Sequence, residues 1–312
     1  MNTIVTIFIG LVQGLTEFLP VSSSGHLVLL YSIFNITDNT IFLSVLLHLA
    51  TLLSIVVVYR KQILQLIKNP FCKTNKLLVV STIPTIVIVL IFKSFIESSF
   101  SGEFLIYGFL ITAVLLGVSE YLSTSPKYLS KIKGLDTITP QPATITDLPA
   151  FSSIATKNSE FASDSAKIEG GKVITEDSEV EDITNMNLTY KQAFAMGIGQ
   201  GCATLPAISR SGTTIATGLL VGAKKEDVTS YSFLMSIPII LASMLYELLS
   251  INGQTLASIS FINILLSCIV AFVAGIFSIK FMIKIVKKQS LSNFSFYLIG
   301  LSFVIILFKY II

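Results

Sequence analysis

The sequence predicts an all-α polytopic membrane protein, with six transmembrane helices plus two re-entrant helical hairpins arranged as an inverted-topology repeat. Three observations predict it. The 312 residues are 53% hydrophobic and only 12% charged, with a mean hydropathy of +0.81, well beyond the balance of a soluble domain. Continuous Leu/Ile/Val-rich runs of about 20 residues, enough to cross a roughly 30 Å hydrocarbon core, recur along the chain without the period of barrel strands. Two further apolar segments are broken by Gly, Pro and Ser and match each other in register.

In chain order, the first broken segment occupies 10–30 and spans follow at 41–59, 77–95 and 103–122. A polar stretch at 123–189 precedes the second broken segment, 197–222, and spans at 230–249, 259–279 and 293–311. The stretch 123–189 holds ten acids and six lysines with few large apolar residues, the composition of a segment that cannot bury a core, so a disordered insert is expected there. The domains are therefore 1–122, the insert 123–189, and 190–312.

Lysine and arginine set the expected orientation. Arg60, Lys61, Lys68, Lys73 and Lys76 fill one loop, and Lys280, Lys284, Lys287 and Lys288 another. Both face the cytoplasm by the positive-inside rule, and the clusters Lys127, Lys131, Lys133 and Lys224, Lys225 then also fall inside. A net charge of +3 gives no reason to expect nucleic acid as a partner; the lipid bilayer is the expected one. Cys72, Cys202 and Cys268 lack disulfide or metal-ligand spacing and read as packing residues. The N-terminus has no basic region or small-residue cleavage site, so no removable signal is expected.

Shifted by 187 residues, Gly10 falls on Gly197, Gln13 on Gln200, Gly14 on Gly201, Ser22 on Ser209, Ser24 on Ser211 and Gly25 on Gly212. Each repeat is a broken hairpin plus three spans. Because three is odd, the second copy enters the membrane inverted, and the hairpin tips can meet near the midplane.

Ionisable residues at such depth are functional candidates. The first hairpin supplies Glu17, Ser22, Ser23, Ser24 and His26, and the second supplies Ser209, Arg210, Ser211, Gly212 and Thr214. A guanidinium in an apolar stretch calls for a bidentate anion, and neighbouring hydroxyls with a helix N-terminus near Gly212 complete an anion cradle. Ser23 or a neighbour is the candidate nucleophile. His26, three residues on, could share its face as base, or act as acid. Glu17 could orient His26 or hold a divalent cation, and these alternatives stay open. Gln13 and His48 are outer polar contacts, His48 with an alternative reading as span packing.

Gln-Gly-Leu-Thr-Glu-Phe-Leu-Pro-Val-Ser-Ser-Ser-Gly-His at 13–26 and Pro-Ala-Ile-Ser-Arg-Ser-Gly-Thr-Thr at 206–214 resemble the two signatures of the undecaprenyl-diphosphatase family. The resemblance extends through Leu-His-Leu-Ala-Thr at 47–51 and Tyr-Ser-Phe-Leu-Met-Ser-Ile-Pro at 231–238, and the insert looks unusual for the family. It implies hydrolysis of undecaprenyl or a related polyprenyl diphosphate to the monophosphate, Ser23 as nucleophile, and a site opening to the outer face of the plasma membrane. It also implies a divalent metal, Mg2+ or Ca2+, and leaves a homodimer open. The sequence departs from the family at Ser44, where an acid is common, and at Ala207, where glycine is usual; with Gln13, Glu17 is the only carboxylate of the first signature. A lipid-phosphate or ion-coupled transporter on the same inverted repeat, and a noncatalytic membrane scaffold, are the competing expectations.

Overall fold

The computed structural model describes residues 2–36, 40–99, 104–125, 186–250, 260–288 and 290–311, and among these every regular element is an α-helix. The helices are α1 Thr3–Thr16, α2 Ser23–Ile33, α3 Thr40–Val58, α4 Arg60–Lys68, α5 Lys73–Ile91, α6 Lys93–Ser99 and α7 Leu105–Thr124. After the insert come α8 Tyr190–Cys202, α9 Arg210–Leu220, α10 Lys225–Ser250, α11 Phe261–Lys288 and α12 Ser292–Ile311.

Five of them, α3, α5, α7, α10 and α11, are long and apolar enough to cross a membrane, and the chain is a multi-pass membrane protein. Over its described side chains the apolar part of α12 runs Ser292–Phe308, shorter than those five; α1 is likewise apolar and short. The expected loop 60–76 differs most. Arg60, Lys61 and Lys68 sit on α4, where Arg60 and Lys61 are exposed while Gln62 and Leu66 are buried, so these charges form one face of a short amphipathic helix, and Lys73 and Lys76 open α5. The span expected at 77–95 starts earlier, at Lys73, and breaks at Phe92 before the short α6. Most of the insert, 126–185, lies outside the described residues.

Helix bounds recur at the spacing of the sequence repeat. Moved by 187 residues, α2 falls on α9 and α7 on α12, end to end, while α1 ends within one residue of α8. The packing recurs too: α1 crosses α11, and α8 crosses α5. At the first crossing Gly10 lies on Ser267, and Gly14 on Ala271, Ala274 and Gly275. At the second, Gly197 lies on Ser81 and Pro84, and Gly201 on Ile88. A Cβ at any of the four would collide with its neighbour, which is why these positions are glycine in both copies.

Hydroxyls tie the same crossings to backbone. Ser267 Oγ donates to Thr6 O at 2.7 Å, Ser278 Oγ to Leu15 O at 2.7 Å, and Thr85 Oγ1 to Gly197 O at 2.8 Å. In a bilayer, where apolar burial between helices contributes little, close approach and such bonds do most of the holding. Replacing Gly10 or Gly197 by Leu is expected to lower the midpoint of thermal unfolding in detergent by roughly 3–10 °C. Gly300→Ala, with nothing within 4 Å of the added methyl, leaves it unchanged. An unaltered midpoint in both Leu variants would contradict this packing.

Candidate active site

Two helix starts build the site, and they are made alike. Ser22 caps α2, its Oγ accepting the Gly25 N–H at 3.2 Å; Ser209 caps α9, its Oγ accepting the Gly212 N–H at 3.0 Å. Ser24 Oγ lies 3.4 Å from Ser22 Oγ, and Ser211 Oγ 3.3 Å from Ser209 Oγ. Ser22, Ser24 and Gly25, with their mates Ser209, Ser211 and Gly212, are thus the parts of a duplicated capping motif. Several were expected as phosphate donors. Gly212 N–H is committed to the cap, and Thr214 Oγ1 is held by Arg210 O at 2.8 Å and by Ser232 Oγ at 2.6 Å.

The chemistry sits where the repeats differ. Ser23 is the first residue of α2, and its repeat mate Arg210 is the first of α9, so this helix begins two residues before the expected Gly212. Glu17, at the end of α1 and 6% exposed, joins them. Its Oε1 pairs with the Arg210 guanidinium, and its Oε2 accepts from Ser23 Oγ at 2.6 Å and from Gln13 Nε2 at 2.9 Å. His48 Nε2 approaches the same Oε2 at 3.5 Å. His48 Nδ1 lies 2.7 Å from the Ser44 carbonyl, which can only accept, so Nδ1 carries a proton and Nε2 is the nitrogen turned to the carboxylate.

His26 stands apart from this cluster. Its Nδ1 donates to Ser22 O at 2.7 Å, its Nε2 meets Tyr297 Oη at 2.7 Å, and its ring lies edge to face with Phe109. The expectation that one helical turn would set imidazole and Ser23 hydroxyl together is therefore corrected. The group in contact with Ser23 Oγ is Glu17, and the histidine that Glu17 approaches is His48 rather than His26.

The backbone between the helices is strained at two places. Ser22 has φ 66° and Ala207 φ 62°, a region costly for any residue with a Cβ. Ala207 occupies the position where glycine is usual in the resembled family, and its methyl faces Gly25 and Gly108. Two bonds fix this second turn: Ser209 N–H donates to Thr112 Oγ1 at 3.0 Å, and Ser211 Oγ donates to Leu19 O at 2.9 Å, stitching one hairpin to the other.

Beside the ion pair lies a narrow cleft, lined by Glu17, Phe18, Arg210 and Ser211 and by Ser232, Phe233 and Ser236 of α10. The two α10 serines were not among the expected site residues. Their spacing of four puts them on one helix face, a polar stripe in an apolar span that could have marked them. Tyr297 was also missed; a tyrosine near a span end carries no distinguishing signal.

The donor set does not form a resident metal centre. Both Glu17 oxygens are occupied by a guanidinium, an amide and a hydroxyl, and among the described residues no three His, Cys, Asp or Glu side chains converge. What the arrangement offers instead is a hydroxyl donating to a carboxylate next to a cation, at the N-termini of two helices.

Fold and site together define a polytopic helical membrane protein with a buried carboxylate, hydroxyl and guanidinium poised for an anion. The chain belongs to the family described as bacitracin resistance protein BacA, whose model matches residues 6–148 and 160–304. It is 34% identical over 300 residues to an undecaprenyl-diphosphatase of Carboxydothermus hydrogenoformans, covering 95% of this chain and 94% of that protein. It is also similar to undecaprenyl-diphosphatase 4 of Bacillus thuringiensis (32% over 311 residues, 99% and 98% covered) and to the undecaprenyl-diphosphatase of Christiangramia forsetii (32% over 323 residues, 99% of each). The family match runs well into the insert from both sides, leaving only 149–159 between its two parts, so the insert is less foreign to the family than expected.

Arg210→Ala would strand the Glu17 carboxylate in a buried site and is expected to lower the unfolding free energy by about 3 kcal/mol. Adding Glu17→Gln should recover at least half of that loss. Denaturant titration in detergent checks both, and equal instability of the single and double variants would argue against the pairing.

Proposed function

We infer that the protein hydrolyses undecaprenyl diphosphate, or a related polyprenyl diphosphate, to the monophosphate and inorganic phosphate, returning the lipid carrier to cell-envelope or glycan synthesis. The observation that carries this reading is the Ser23 Oγ to Glu17 Oε2 hydrogen bond of 2.6 Å beside Arg210, in a chain of this family.

The diphosphate enters the pocket and competes with Glu17 for the Arg210 guanidinium, which binds phosphate oxygens in the same forked manner. Glu17, losing its cation partner, becomes the base for Ser23. Ser23 Oγ forms a bond to the terminal phosphorus, its proton passes to Glu17 Oε2, and the bond from that phosphorus to the bridging oxygen breaks, releasing prenyl monophosphate. Water then attacks the phosphoserine; Ser23 Oγ leaves and recovers the proton from Glu17, and inorganic phosphate departs. Arg210 and the N-termini of α2 and α9 offset the negative charge carried through both steps.

Ser232 and Ser236 border the phosphates from α10, while Gln13 and His48 hold the carboxylate in place. A divalent ion such as Mg2+ or Ca2+ accompanying the diphosphate would offset its negative charge, with Glu17 the carboxylate of the site that would face it.

The finer topology belongs to the same reading. Six spans (α3, α5, α7, α10, α11 and α12) and two re-entrant hairpins (α1 with α2, α8 with α9) form an inverted repeat, supported by the recurrence of helix bounds and crossing glycines. The basic clusters favour a cytoplasmic side for α4 and the insert, with the site opening outward.

Purified protein in detergent is expected to release one phosphate per prenyl diphosphate, and Ser23→Ala or Glu17→Gln to lower kcat/KM at least about 100-fold. Full activity in either variant would overturn the assignment. Passage of prenyl phosphate across liposomes without phosphate release would make the protein a transporter instead.

A further inference from the structure

α12 packs against α7, where Ser295 Oγ donates to Ala113 O at 2.6 Å, and its outer face is apolar and exposed. Tyr297 departs from that pattern. Its ring is 48% exposed, yet its hydroxyl is turned into the protein, onto His26 Nε2 at 2.7 Å, with the two rings parallel to within 4°. A tyrosine on the rim of a membrane helix ordinarily leads its hydroxyl toward water, so the inward aim calls for a reason.

The other side of the imidazole supplies it. Ser22 O can only accept, so the 2.7 Å contact commits a proton to Nδ1 and leaves Nε2 as the one ring nitrogen able to gain or lose a proton. A phenol hydroxyl meets either state of that nitrogen: it donates when Nε2 is bare and accepts when Nε2 is protonated. The carbonyl it works against belongs to Ser22, the strained N-cap at φ 66°, so the ring is clamped between the start of α2 and the last helix of the chain.

We propose that Tyr297 is a positioning residue for His26, holding the ring against the Ser22 carbonyl that fixes its Nδ1–H tautomer and engaging Nε2, the nitrogen left to exchange a proton. This rests on the phosphatase reading for its purpose but not for its geometry. Tyr297 acts through His26, so its hydroxyl matters only while the imidazole is present.

The chain has two histidines, His26 and His48, so selective ¹⁵N-histidine labelling of the full protein in detergent gives two rings, told apart by His26→Ala. The wild type should show His26 protonated at Nδ1, and Tyr297→Phe, which keeps the ring, should move the Nε2 resonance while His48 stays in place. Kinetically, Tyr297→Phe should lower kcat about tenfold with KM within about twofold, and should cost nothing further in the His26→Ala background. An unmoved Nε2 resonance, a proton on Nε2 alone, or the same tenfold loss without His26 would each overturn the proposal. Absence of phosphate release by the wild type would sink the phosphatase reading, while the resonances would still decide the role of Tyr297.

Discussion

The ion pair between Glu17 and Arg210 is the constraint on which the rest of the site depends. Each residue ends or begins a helix in a different hairpin, and each would be costly to bury alone. Joined, they fix the approach of the two hairpins, and the Ser211 to Leu19 bond beside them sets the register. Ser23 Oγ then donates to the carboxylate. An anion able to compete for the guanidinium would free the carboxylate next to the Ser23 hydroxyl.

Duplication explains how such a site can be built from little. Among the residues the two copies share, two crossing glycines and a Ser-x-Ser-Gly cap are structural in both. Among the positions where the copies have parted, Glu17 stands opposite Thr204, Ser23 opposite Arg210 and His26 opposite Thr213. Those positions carry the carboxylate, hydroxyl and imidazole of the first copy and the guanidinium of the second. A scaffold that brings equivalent helix starts together needs only to differentiate them to place unlike groups side by side.

Much of this was legible in the sequence because membrane burial makes polar residues conspicuous. Glu17, Ser23 and Arg210 stood out from an apolar background, and structure brings the three together. The repeat offset also foretold helix ends that recur 187 residues apart. What misled was adjacency. His26 lies one turn from Ser23, but its ring is drawn off by the Ser22 carbonyl and by a tyrosine 271 residues away, a partner no local spacing reveals. Ser22 and Ser209 stood out as hydroxyls for an anion, and their second role as helix caps shows only in the structure. The basic run at 60–68 looked like a loop because charge density hid an amphipathic period.

The central claim is that Ser23, deprotonated by Glu17, takes the phosphoryl group. Rapid quench of the wild-type protein with prenyl diphosphate labelled in its terminal phosphate tests it most directly. The account predicts label transiently bound to the protein, on Ser23 by peptide mapping, and none in Ser23→Ala. Release of labelled phosphate at full rate with no label passing through the protein would contradict it.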